Sequence, residues 1–377
     1  MRNKLIFVSD LHLNDEFSFS PSGNGYMHAY TWMNRNIPTA ASFLTWLKSR
    51  EDVAELVILG DLLDGWVCPM QHPPTRDFMD ILAAHDNALV IDALRGLCQE
   101  TSAIEVSYVR GNHDMLLSDI FTPQNGFEHL DFIALASGMD LYQKENVLFA
   151  EHGSRFCLFN APDTWSHPGS HLPEGFFMAR VAADYAAQVG TFPDLVATLQ
   201  NVVREGIGGT LPKDFFDEIR RKTPGTGNTF LMNGLDGFSP DPTYLDILRD
   251  YAGIYEEWNK RQDTIPREVA PLGDLGTLLF AASWIFVTGK PYAPRILIFG
   301  HTHTYGFHPF RPVLGASVLG CREYKHIYAN TGTWVDGKTC TYVEVEPDAA
   351  GEIYFVRGFS FENAGHQTLL DEGCVRA

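Results

Sequence analysis

The chain has 377 residues, 45% hydrophobic and 20% charged, with 47 acidic against 28 basic side chains and a formal net charge of −19. This is globular composition, which excludes a disordered or collagen-like chain. The acidity opposes binding to a polyanion, because such affinity depends on Lys and Arg at the phosphates. The six cysteines form no CxxC pair, so free thiols in a reducing compartment are expected rather than a disulfide framework.

Residues 1–9 are too short for the charged and apolar regions of a secretory leader. The longest nearly uncharged apolar stretch, 275–287, falls short of the roughly 20 residues that a membrane span needs. A soluble cytoplasmic protein is expected.

Lys4-Leu5-Ile6-Phe7-Val8 reads as a strand and runs into Ser9-Asp10-Leu11-His12. A polar and aromatic loop occupies residues 14–36. Pro38 and Thr39 then open a helix whose Ala40, Phe43, Leu44 and Leu47 fall at helical spacing. Leu56-Val57-Ile58-Leu59 is a buried strand ending in Gly60-Asp61-Leu62-Leu63-Asp64. A Pro-containing loop, 66–74, leads to a second amphipathic helix, with Leu89, Val90, Ala93, Leu94 and Leu97 expected on one face.

Residues 104–109 form a third strand, ending in Arg110-Gly111-Asn112-His113-Asp114, and 147–150 a fourth, ending in Glu151-His152-Gly153. The pattern is α/β, with chemically active residues at the carboxyl ends of strands. From Ser154 to Pro294 the rhythm changes to helical patterns at 177–189, 193–205, 212–222, 242–261 and 274–288. Together they read as a largely helical insert. Its aromatics, including Phe176, Phe177, Tyr244, Tyr251 and Trp258, are expected to be core. The sheet resumes at 295–299, before Gly300-His301-Thr302-His303, with further strands at 327–329, 339–345 and 353–359.

Five short segments therefore bring metal-ligand residue types to strand ends: Asp10-x-His12, Gly60-Asp61-x-x-Asp64, Gly111-Asn112-His113-Asp114, His152-Gly153 and Gly300-His301-x-His303. A single Asp-x-His or Gly-Asp carries little information. Five in order, each after an apolar run, point to one site. Carboxylate, imidazole and amide oxygen suit Mn, Fe or Zn. Two such ions roughly 3.5–4 Å apart can clamp a phosphoryl group and acidify water. The glycines before Asp61, Asn112 and His301 would allow tight turns and close backbone approach.

In these motifs the chain resembles the calcineurin-like metallophosphoesterase family, over residues 4–153 and 295–360. The resemblance implies a β-sandwich flanked by helices, a four-layer αββα arrangement, formed by residues 1–153 and 295–377. Residues 154–294 would then be a helical insert or cap. It further implies that Asp10, His12 and His303 hold one metal ion, and that Asn112, His152 and His301 hold a second. Asp61 would bridge the two, and a hydroxide between the ions would attack phosphorus. His113 would contact the phosphate and protonate the leaving oxygen, with Asp64 orienting its imidazole and Asp114 a lesser candidate for that role.

Asn330-Thr331-Gly332-Thr333-Trp334 is similar to a segment of bacterial members and is expected to pack strands and loops. Trp66 resembles the branch near the UDP-diacylglucosamine pyrophosphohydrolases, although His113 stands where that branch usually carries Arg. The function implied is hydrolysis of a phosphodiester, phosphomonoester or pyrophosphate in a small or lipid-linked molecule. The alternatives are a nuclease of the family's DNA-repair branch, whose Gly-Asn-His-Asp motif is the same, and a non-catalytic scaffold of this fold. The charge opposes the first, and the full set of ligand-type residues opposes the second.

His167 and His171 have the i, i+4 spacing of a helical metal site, but Pro168-Gly169 between them predicts a loop. Arg155 is expected to be structural. The loops 14–36 and 154–175 begin beside proposed ligands, so they are the expected determinants of specificity.

Overall fold

A computed structural model describes residues 2–20, 26–133, 140–190, 217, 221, 228–258, 260, 273–288, 294–318, 320–363 and 366–377. The helices expected over 193–205 and 212–222 lie outside the described residues, apart from Asp217 and Arg221.

Twelve strands run in chain order: β1 (Lys4–Val8), β2 (Val53–Leu59), β3 (Glu105–Val109), β4 (Leu130–Ile133), β5 (Tyr142–Lys144), β6 (Leu148–Ala150), β7 (Ile296–Phe299), β8 (Tyr305–Val318), β9 (Cys321–Thr331), β10 (Thr341–Pro347), β11 (Ile353–Asn363) and β12 (His366–Arg376). The helices are α1 (Glu16–Phe19), α2 (Ile37–Lys48), α3 (Met79–Ala83), α4 (Ala88–Leu97), α5 (Glu174–Val189), α6 (Tyr244–Asp250), α7 (Ile254–Trp258) and α8 (Gly273–Thr288).

The strands pair in the order β4-β3-β2-β1-β10-β11-β12-β9-β7-β6-β5, with β8 added on β9. The β12–β9 link is short, with Cys374 opposite Glu323 and Val375 opposite Tyr324. Packing shows that this path folds back on itself. Leu5 and Phe7 of β1, Val57 and Leu59 of β2, and Val343 and Val345 of β10 share one core with Leu148 and Ala150 of β6, Ile296 and Ile298 of β7, and Ile327 and Ala329 of β9.

The intervening residues face outward, as the two-residue period of a strand requires. Ile6, Val8, Leu56 and Ile58 pack on Phe43, Leu44 and Leu47 of α2 and on Val90, Ile91 and Leu94 of α4. On the other side, Phe149, Leu297, Phe299 and Tyr328 pack on Leu278, Ala281, Ala282 and Ile285 of α8. The layers are thus helix, sheet, sheet, helix, the αββα sandwich expected. The outermost layer on the second sheet is α8, which the sequence pattern groups with the insert.

The α2 expectation holds in detail: Pro38 lies in the first turn, and Ala40, Phe43, Leu44 and Leu47 are buried. The face of α4 is rotated from the expected one. Leu89 is 59% exposed, while Ile91 is fully buried beside Val90, Leu94 and Leu97. Both sets satisfy helical spacing, and packing against α2 selects the second. The pattern at 242–261 is two helices, α6 and α7, separated by the turn at 251–253. Thr243 and Asp246 form a capping box that starts α6.

A buried cation ties α5 to the loop that follows Asp64. Arg180 of α5, with no exposed surface, donates from Nε to the Cys68 carbonyl at 3.2 Å. Its Nη2 donates to the carbonyls of Pro69, Met70 and His72 at 2.9, 3.0 and 2.6 Å. A buried charge is costly unless fully hydrogen-bonded, and these carbonyls supply its partners. They belong to the loop after Asp64, whose Trp66 shares a core with Phe176 and Phe177 of α5 and with Tyr244, Tyr251 and Trp258. Helices α5, α6 and α7 therefore pack against the loop that leaves Asp64.

Candidate metal centre

The five motifs follow β1, β2, β3, β6 and β7. These are parallel within two groups, β1–β2–β3 and β6–β7, so their carboxyl ends emerge at one edge of the sandwich. The loops are tightly bent there. Asp10, His12, Asp61, His301 and His303 all have positive φ, between 51° and 72°. Such conformations cost non-glycine residues of order 1–3 kcal/mol each and cluster at functional sites. Close approach explains the neighbouring glycines. A Cβ on Gly60 would collide with Gly111, and one on Gly111 with the Asp61 carboxylate.

Among the described residues four groups of ligand-type atoms converge; besides His12 with Asp64 and His113, and Cys157 with Asp274 and His301, there are the two that hold the expected metal ligands. In the first, Asp10, His12 and His303 present atoms within 4.8 Å of one another. His12 Nε2 faces His303 Nε2 at 2.8 Å. Asp10 Oδ1 lies 3.3 Å from His303 Nε2 and 3.7 Å from His12 Nε2, buried and without a hydrogen-bond partner. In the second, Asp61, His152 and His301 meet within 4.8 Å, and His152 Nε2 also lies 2.9 Å from Asn112 Oδ1. Asp61 Oδ2 stands between the groups, 3.1 Å from His152 Nε2 and 3.8 Å from His12 Nε2.

The outer nitrogens of two of these rings are already engaged. His12 Nδ1 lies 2.8 Å from Asp64 Oδ2, and His152 Nδ1 lies 2.7 Å from the Leu59 carbonyl. An acceptor on the outer nitrogen puts the proton there and turns the Nε2 lone pair inward, as in histidine–metal sites. Converging imidazole nitrogens, an orphaned buried carboxylate oxygen and a carboxylate standing between the two groups are a donor set that fits metal cations. The donor set, nitrogen and oxygen without thiolate, fits Mn, Fe or Zn.

Electrostatics agree. Burial opposes ionisation of Asp10, yet the adjoining His12 and His303 imidazoles hold its pKa well below the carboxylate range. Burial likewise opposes Asp61, but the imidazoles of His152, His113 and His12 bring it down to about 2. In return, and against burial, Asp10, Asp64 and Asp61 lift His12 to about 10. Asp61 and Asp10 lift His152 to about 9. The cluster attracts positive charge. His301, dominated by burial, is lowered to about 4 and is neutral at pH 7.

His113 sits beside both groups. Its backbone N–H donates to Asp61 Oδ1 at 2.8 Å, and its Nδ1 lies 2.9 Å from Asp64 Oδ1. Trp66 stacks on its ring at a centroid distance of 4.6 Å. Asp64 thus serves His12 and His113 together, and it is anchored by the backbone N–H groups of Trp66 and Val67 at 2.9 and 2.8 Å. Asp114 is turned elsewhere, accepting from Gly111 N at 2.6 Å and from the Tyr108 hydroxyl. Burial and the Asp61 charge raise it to about 7.

The 330–334 segment packs as expected, and it does so at the site. Thr333 Oγ1 and Trp334 N both donate to the Asp10 carbonyl, at 2.8 and 3.1 Å. Asn330 Nδ2 donates to the Gly300 carbonyl at 2.6 Å. Arg155 pairs with Glu151 at 2.5 Å. His167 and His171 lie in non-helical chain; the first stacks on Phe238 and the second bonds Asp236.

Three neighbours carry no motif signal and were not singled out by the sequence pattern. Trp32, in the 14–36 loop, packs against His12, His113 and His303 at centroid distances of 4.7, 5.4 and 5.3 Å. Asn160 and Asp274 approach His301. Beside His152 lies a cavity of about 540 Å³ whose lining includes Arg110, Gly111, Arg155, Pro162 and His171.

Among known proteins, the calcineurin-like phosphoesterase family profile matches residues 4–305. Two curated UDP-2,3-diacylglucosamine hydrolases, from Vibrio vulnificus strains YJ016 and CMCP6, are each 26% identical over 153 residues, covering 41% of this chain and 48% of theirs. The chain thus spans about half the length of the curated relatives it matches. A solved structure of Vps29 from Chaetomium thermophilum aligns over 99% of this chain and 98% of its own, at 8% identity and a TM-score of 0.33; the fold assignment rests on the sheet topology and the family match instead. No helix among the described residues is long and apolar enough to cross a membrane. With a family profile covering most of its length and the layered fold described above, the chain belongs to the calcineurin-like phosphoesterase family.

Proposed function

We propose that this chain is a phosphoester hydrolase with a dinuclear metal centre, acting on a phosphodiester or pyrophosphate in a small or lipid-linked molecule. The observation that carries the reading is the geometry around Asp61. One carboxylate oxygen lies between two groups of ligand-type side chains, and one imidazole of each, His12 and His152, has its outer nitrogen held by an acceptor. Asp10, His12 and His303 would hold the first ion, and Asn112, His152 and His301 the second, with Asp61 shared. Ions there would supply Lewis-acid polarisation of the phosphoryl group and acidify water.

The remaining work falls to the chain's own groups. Asp64 fixes the proton of His113 on Nδ1 and Trp66 holds the ring plane, so Nε2 is the atom directed to substrate. In that role His113, protonated at both nitrogens, would hydrogen-bond the phosphoryl oxygen through Nε2 and pass that proton to the leaving oxygen, ending as the neutral ring with its proton on Nδ1. The curated relatives are named for UDP-2,3-diacylglucosamine, which supports including nucleotide-linked pyrophosphates in the substrate class. The net charge of −19 disfavours nucleic acid. Residues 1–153 and 295–377, together with α8 as the outer layer on the second sheet, form the catalytic body in this reading, and the rest of 154–294 the insert. Trp32 and Asn160 bring the two long loops to the site, where they would select the leaving group.

The test is a panel of bis-p-nitrophenyl phosphate, p-nitrophenyl phosphate and a UDP-sugar, assayed with chelated and Mn2+-reloaded protein. Mn2+-dependent cleavage of a diester or pyrophosphate is expected. Absence of any metal-stimulated hydrolysis across the panel would sink the proposal.

A further inference from the structure

The outer nitrogen of His301 is covered by two side chains of the 154–294 segment. Asn160 brings its Nδ2 to 3.2 Å from His301 Nε2. Asp274, in the first turn of α8, brings Oδ2 to 3.6 Å from the same nitrogen and 3.5 Å from Asn160 Nδ2. The position of Asp274 is set by packing. Leu278, one helical turn later and on the same face, is fully buried against the sheet. It lies over Gly153, where a Cβ would stand 3.1 Å from its Cδ1. The end of α8 is thus docked on the loop that carries His152.

With an N–H on Nε2 turned to the Asp274 carboxylate, Nδ1 is the nitrogen that His301 has left for the group with Asp61 and His152, and Asn160 Nδ2, a donor only, serves Asp274. For His12 and His152 the roles of the two ring nitrogens are reversed, and their outer acceptors come from β2 and the loop that follows it. The outer neighbours of His301 come instead from α8 and from the loop that carries Asn160.

We propose that Asp274, whose carboxylate accepts from Asn160 Nδ2, is a positioning residue for His301, and that α8, the outer layer on the second sheet, is thereby a working part of the metal centre. The inference rests on the dinuclear reading above. A carboxylate beside the outer N–H of a metal-ligating imidazole fixes its tautomer and orientation and raises its basicity. Losing such a partner typically costs about 10–100-fold in metal affinity or activity. Asp274 is half-exposed, with 48% of its side chain accessible, so replacing it leaves the core intact.

The experiment titrates metal-free full-length protein with Mn2+ and reads free Mn2+ by its electron paramagnetic resonance signal. Wild-type protein is expected to take up two equivalents. Asp274→Asn should also take up two, one of them about tenfold more weakly, with Asp274→Glu recovering part of the loss. His301→Ala should weaken the same equivalent and identify it. An Asp274→Asn titration that overlays the wild type overturns the proposal. So does uptake of three equivalents by wild type and two by Asp274→Asn, which would make Asp274, Cys157 and His301, whose ligand atoms lie within 4.8 Å, a separate cation site. Wild-type protein that binds no Mn2+ overturns the metal-centre reading itself, and this inference with it.

Discussion

Asp64 shows how closely the individual residues depend on one another. Its two carboxylate oxygens meet four nitrogens: His12 Nδ1, His113 Nδ1 and the backbone N–H groups of Trp66 and Val67. Burial opposes its ionisation, but the two imidazoles hold its pKa far below the usual carboxylate range, so it stays an acceptor. His113, by contrast, contributes no atom to either convergent group in the dinuclear reading. Replacing it should therefore separate chemistry from metal binding. His113→Ala is expected to lower kcat by about 10²–10⁴-fold, the range of general acid catalysis, while elemental analysis still finds the wild-type metal content. Parallel loss of metal and activity would make His113 a ligand instead.

At the level of elements, the strand ends were legible because each is a short apolar run broken by Gly, Asp or His. That signal survives without tertiary information. β8 and β12 were not legible. The first is interrupted by Pro309 and Pro312, and the second, from His366 to Asp371, alternates too little to mark a buried face and exposes Leu369 and Leu370. Within the site, residues that sit in motifs could be read. Trp32, Asn160 and Asp274 could not, because only the folded chain brings them to the imidazoles. The tie between α5 and the loop after Asp64 was equally hidden, and it has a pH signature. Beside Arg180, Asp184 is buried and accepts from the Tyr26 hydroxyl at 2.7 Å. Burial outweighs these partners and raises its pKa from 3.8 to about 6. A raised folded-state pKa gives stability that is fully present below 3.8 and lost as pH climbs through about 6. The loss amounts to up to about 3 kcal/mol, roughly half of it between pH 5 and 8. Urea unfolding of metal-free protein should show this decline in wild type relative to Asp184→Asn. A gap between the two that does not change with pH would contradict the assignment.

Across the described residues, two sheets from distant parts of the chain deliver their strand ends to one edge, and both long loops and the start of α8 reach that edge. The sandwich core fixes the five bent loops in place, which explains how so many left-handed residues are tolerated together. Everything proposed about chemistry depends on whether this edge binds two ions through a shared Asp61. Elemental analysis of protein reconstituted with Mn2+ and freed of excess by gel filtration measures that directly. The account predicts two Mn per wild-type chain and fewer in Asp61→Asn. No bound metal in the wild type, or two in Asp61→Asn, would contradict it.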